Sequence, residues 1–128
     1  MVMKNFNKKI NDNIEELTEI ILRMHELSRL KSDNFSNEKV KESLKLGSRF
    51  DKLLKRIIFS DNGIDKLSLL LDEKVSYVSF IIARYLYPIF PYKTMNIMKK
   101  YFTCVDDDLE KMSVLDVING IEEKKRYF

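Results

Sequence analysis

An all-α fold of about six helices is what the sequence predicts, and three observations carry that expectation. Apolar residues recur at intervals of three and four along most of the chain. No segment alternates convincingly between apolar and polar residues, so no strand is needed. Only 3 Gly and 2 Pro interrupt 128 residues that are 45% hydrophobic and 34% charged, which argues against disorder and against loop-dominated β architectures.

The first helix is expected over residues 12–30, where Ile14, Leu17, Ile21, Met24 and Leu27 form one apolar face. Asn11, Asp12 and Asn13 are its candidate caps, and Glu15, Glu16 and Glu19 would then sit near the positive end of the helix dipole. Ser32, Asp33, Asn34 and Ser36 read as a loop ending in a Ser cap. A second helix follows over residues 37–59, with Val40, Leu44, Phe50, Leu54, Ile57 and Ile58 on its apolar side and a possible break at Gly47. Ser60-Asp61-Asn62-Gly63 is the strongest turn, because Asn-Gly favours positive φ. A short third helix is expected over residues 64–71.

A turn at Asp72, Glu73 and Lys74 leads into a fourth helix over residues 75–87, apolar nearly all round and therefore buried. Pro88 and Pro91 bracket a break, and Pro91 suits the first turn of a fifth helix running to about Phe102. After an acidic loop over residues 104–108, a last helix to Lys125 places Leu109, Met112, Leu115, Ile118 and Ile121 on one face. Short connections imply antiparallel neighbours.

The stretch GIDKLSLLLDEKVSYVSFIIARYLYPIFPYKTMNIM, residues 63–98, resembles one HEAT-type helical repeat and the start of the next. Leu67, Leu70 and Leu71 precede the turn at Asp72. Val78, Ile82, Ala83 and Leu86 then stand at the small or apolar positions of the second helix, and Pro91 opens the next. Ser79 stands where such repeats usually carry Arg. A length of 128 residues fits a single domain over residues 1–128, and the resemblance implies antiparallel HEAT-like helical pairs in it, with a helix and loop over 1–36 ahead of a repeat-like core over 37–128. Small proteins of this layout resemble bacterial immunity proteins, which bind and block a cognate toxin. The resemblance therefore implies a protein toxin as partner, with no catalytic residues and no cofactor in this chain. Helix pairs that stack in this way line a surface suited to holding a partner.

Motifs for chemistry are sparse. His25 is the single histidine and has neither a His-Glu-x-x-His nor a Cys-x-x-Cys context, so a structural role is expected rather than a metal site. Cys104 cannot form an internal bridge, which suggests a reducing compartment, and it is expected to be a small buried or half-buried residue. Asp106, Asp107, Asp108 and Glu110 lack the spacing of a calcium loop and read as a helix cap. No phosphate-binding loop or nucleophile elbow is present, so an enzyme is disfavoured. No signal peptide is recognisable at the N-terminus, and residues 75–90, interrupted by Ser76, Ser79, Arg84 and Pro88, are too short to span a membrane. A cytoplasmic protein is expected, monomeric without its partner.

Two surface features compete for function. Tyr and Arg are enriched at interface hot spots, which selects Tyr77, Arg84, Tyr85 and Tyr87 as partner-binding candidates, with Asp72, Glu73, Asp106 and Asp107 as acids that could complement a basic partner. Lys41, Lys45, Arg49, Lys52 and Arg56 recur at intervals of four, four, three and four, a basic ridge along the second helix. That ridge is either a solvated face or, in the alternative reading, a phosphate-binding surface of a small nucleic-acid-binding module. The net charge of +3 is too mild to announce nucleic acid as the partner.

Overall fold

The computed structural model describes residues 2–30 and 36–126, with side chains over 9–30 and 36–124. Among the described residues six α-helices follow one another: α1 (Val2–Ser28), α2 (Asn37–Ile58), α3 (Gly63–Ser68), α4 (Tyr77–Leu86), α5 (Pro91–Cys104) and α6 (Asp108–Arg126). A 3-10 turn, Leu69–Leu71, follows α3. There is no strand among the described residues, and no helix in them is long and apolar enough to cross a membrane. The chain divides into two compact units, residues 1–69 and 70–128.

In the first unit α1 packs on α2, and α3 contacts both. Ile10, Leu17, Ile20, Ile21 and Leu27 of α1 are buried, as are Leu46, Phe50, Leu53, Leu54 and Ile57 of α2 and Leu67 of α3. Helix α1 starts ten residues before the expected position, so Asn11, Asp12 and Asn13 lie inside it and are not caps. Buried Ile10 extends the apolar stripe back by a turn, and that burial outweighs local capping preference. Of the expected 31–36 loop, residues 31–35 lie outside the described residues. Ser36 does cap α2, its hydroxyl accepting from the Lys39 amide at 3.4 Å.

Helix α2 runs unbroken through Gly47. Phe50, Leu54 and Ile57 are buried as expected, but Val40 is 40% and Leu44 71% exposed, and Leu46 and Leu53 enter the core in their place. The spacing explains the choice. Leu46, Phe50, Leu53 and Ile57 continue as apolar residues over three turns, whereas the stripe through Val40 and Leu44 runs into Gly47, Ser48 and Asp51.

At the turn into α3 it is Asn62 that takes positive φ, at 61°, and not Gly63. Gly63 is required for a different reason. A Cβ there would lie 1.7 Å from the Ile57 carbonyl oxygen, so only a residue without a side chain fits.

In the second unit α4 packs on α5 and α5 on α6. Phe80, Ile82, Ala83 and Leu86 are buried, as are Ile97, Met98, Tyr101, Val114 and Ile118. Helix α4 begins at Tyr77, two residues later than expected, because Ser76 and Ser79 form a capping box. Ser76 Oγ accepts from the Ser79 amide at 3.3 Å and Ser79 Oγ accepts from the Ser76 amide at 2.8 Å. Buried Thr94 donates to the Phe90 carbonyl at 2.7 Å, which satisfies its hydroxyl.

Asp107 caps α6 by accepting from the Glu110 amide at 2.9 Å. Helix α6 turns Val114 and Ile118 inward and leaves Leu109, Met112 and Leu115 outward, at 77%, 63% and 41% exposure. The expected single face through Leu109, Met112, Leu115, Ile118 and Ile121 is therefore split, because the capped helix meets α5 through the row containing Val114 and Ile118.

Candidate functional site: a groove beside α6

The last turn of α4 and the turn after it place Arg84, Tyr87 and Pro88 across a groove from one side of α6. There Asp116, Val117, Gly120, Ile121 and Lys124 complete an open groove of about 670 Å³, within the size range of ligand-binding clefts. Its apolar lining is Pro88, which is exposed, and the half-buried Tyr87, Val117 and Ile121, which form the floor. Its rim is charged, with Arg84, Asp116 and Lys124. None of these three has an ion-pair partner among the described residues.

Tyr87 also walls a second groove of about 300 Å³ with Pro91, Tyr92, Met95, Asn96, Lys99 and Glu122. Lys99 Nζ and Glu122 Oε1 form an ion pair at 3.1 Å on its edge.

Four candidate residues lie on α4 or immediately after it, and the structure brings two of them, Arg84 and Tyr87, into the main groove. Tyr77 instead joins an aromatic cluster, its ring centroid 6.2 Å from Phe80 and 6.1 Å from Tyr101, and Phe80 and Tyr101 stack at 5.1 Å. The Tyr101 hydroxyl donates to Glu110 Oε1 at 2.6 Å. Burial pushes the Tyr77 phenol above its ordinary value, and the negative charge of Glu110 adds to the effect. Tyr85 is exposed and lies outside the groove, with the Arg84 guanidinium carbon 6.0 Å from its ring centroid.

The acidic candidates do not converge on the groove. Asp72 pairs with Lys93 of α5, Glu73 and Asp106 are exposed, and Asp107 is the α6 cap. Six lining positions, Pro88, Asp116, Val117, Gly120, Ile121 and Lys124, escaped the sequence reading. One signal could have found them, since Gly120 interrupts a strong helical sequence without marking its end.

All five ridge residues, Lys41, Lys45, Arg49, Lys52 and Arg56, are exposed along α2. Arg49 is held to Glu16 of α1 at 2.8 Å. Lys41, Lys45, Lys52 and Arg56 have no acidic partner at ion-pair distance among the described residues. Next to the ridge, Arg23 of α1 binds Glu42 of α2 and Glu26, each at 2.8 Å. These hydrogen bonds raise the Arg23 guanidinium and lower the Glu42 carboxyl from their ordinary values.

Cys104 is exposed, contrary to the expectation of burial. It is the last residue of α5, in line with Ile97 and Tyr101 by helical spacing, but the helix ends there and Val105 takes the next buried place. No group of three His, Cys, Asp or Glu side chains among the described residues is placed to hold a metal ion. No known protein family matches this chain, and no curated protein sequence or solved structure does.

Proposed function

We propose that this chain is a binding protein of the immunity type, which neutralises a protein toxin by stoichiometric occlusion in the cytoplasm. The observation that carries this reading is the α4/α6 groove, where Arg84 and Tyr87 meet an apolar floor under a charged rim. Interface centres have that anatomy, with Tyr and Arg as anchors and polar groups around them. The HEAT-like pattern of residues 63–98 supports a toxin as the class of partner. An exposed, unbridged Cys104 is in keeping with a reducing compartment.

The test is co-expression with the protein encoded beside it. A one-to-one complex on size exclusion, rescued growth, and loss of both on Tyr87→Ala with Arg84→Ala are the expected results. Toxicity undiminished by co-expression, with no complex formed, would overturn the reading.

A second reading rests on Lys41, Lys45, Lys52 and Arg56, four exposed cations without an acidic partner among the described residues. Duplex nucleic acid laid along them would release counterions, giving a slope of log affinity against log salt of about −3.6 for four phosphates. Retention of nucleic acid with a slope near zero would exclude this use of the ridge.

A further inference from the structure

The three glycines differ in what they do. Gly63 is sterically required, whereas a Cβ at Gly120 would meet nothing within 4 Å, and no glycine has positive φ. Gly120 therefore weakens the interior of α6 without any packing or backbone demand from the fold. Its effect is local: it leaves a notch in the groove floor between Asp116 and Lys124, one turn to either side.

Val117, Gly120, Ile121 and Lys124 stand at i, i+3, i+4 and i+7, the four corners that form a hole for a knob from another helix. With one corner empty, the hole takes a large side chain. The rim carries Arg84 and Lys124 against Asp116 alone, and neither cation has an acidic partner among the described residues.

We propose that the groove receives an amphipathic helix of the partner, which inserts one bulky apolar side chain at Gly120 and presents acidic residues one turn away to Arg84 and Lys124. This inference rests on the binding-protein reading above and names the chemistry of what is bound. The apolar anchor supplies contact with Tyr87, Val117 and Ile121, and the acids fix the direction of the helix.

The test uses the full chain and the variant Gly120→Leu, which fills the notch. Because leucine is the better helix former and the space is open, the variant should keep its helical circular dichroism and melt about 3 °C higher. Random peptides of about 18 residues, long enough for five helical turns, are panned on the wild type and counter-selected on Gly120→Leu. The expected winners have apolar residues at helical spacing with Asp or Glu one turn from the anchor. They should bind Gly120→Leu and Lys124→Glu at least about tenfold more weakly and bind Gly47→Ala unchanged.

Failure to select any peptide that distinguishes wild type from Gly120→Leu overturns the inference, as do winners that are basic. A dimer of this chain that Gly120→Leu dissociates, seen by sedimentation, would also overturn it by making a second copy the occupant. The two proposals fail separately. A toxin complex that survives Gly120→Leu removes the notch and leaves the immunity reading. A notch-specific peptide without any toxin complex does the reverse.

Discussion

Gly63 and Gly47 are the same residue type under opposite constraints. An added methyl group at Gly63 would overlap the Ile57 carbonyl oxygen at 1.7 Å, while at Gly47 it would meet nothing within 4 Å. Gly63→Ala should therefore cost more than about 3 kcal/mol, and Gly47→Ala should add about 1 kcal/mol through helix propensity. Denaturant titration of both variants checks this, and similar stabilities for the two would refute the account.

Tyr77 provides a pH test. Burial raises its phenol in the folded state, so the folded protein holds that proton above the ordinary value near 10, where the unfolded chain releases it. The contribution to stability is complete below pH 10 and declines as the pH rises through the folded value. Tyr77→Phe should flatten the alkaline decline, and an unchanged alkaline limb would show that Tyr77 is not its source.

At the scale of the element, two leucines two residues apart in α2 separate propensity from burial. Leu46 is 7% exposed and Leu44 71%. Leu46→Ala should cost about 3 kcal/mol and Leu44→Ala less than about 0.5 kcal/mol. Equal losses would mean that α2 presents the stripe through Val40 and Leu44 to the core after all.

Helix starts were legible where a side chain makes the first hydrogen bond, as with Ser36 for α2 and Asp107 for α6. The observed start departs from the capping signal where the apolar row continues beyond a good cap. Asn11 to Asn13 are suitable caps by chemistry, yet buried Ile10 carries α1 past them. At Ser76 the reverse holds, and the reciprocal box with Ser79 fixes the start of α4 after Val75.

For the whole molecule, the mild charge of +3 conceals an uneven distribution. The ridge on α2 and the groove beside α6 are both surfaces with unpaired cations among the described residues, and they predict different salt behaviour. Reversing Lys45, Arg49 and Lys52 to Glu should abolish retention of nucleic acid while changing the affinity for a protein held at the groove by less than about threefold in physiological salt. Filter binding and calorimetry on the triple variant check the two arms. Loss of the protein complex would show that the ridge residues themselves take part in binding the protein.

The all-α class, the six helices and the turn at Asn62-Gly63 follow from spacing and turn chemistry, which are local and so are written in consecutive residues. Arg84 and Tyr87 were identifiable as binding candidates by residue type alone. Their separation from Tyr77 and Tyr85 was not, because residue type does not say which side of α4 will be packed. Only the tertiary structure put Asp116, Gly120 and Lys124 in one groove with Arg84 and Tyr87, residues 29 to 40 positions apart in the chain. A helix with more than one apolar row can satisfy its own backbone with any of them facing inward. Which row is buried, and hence which side is left as a groove, is decided by the helices it packs against.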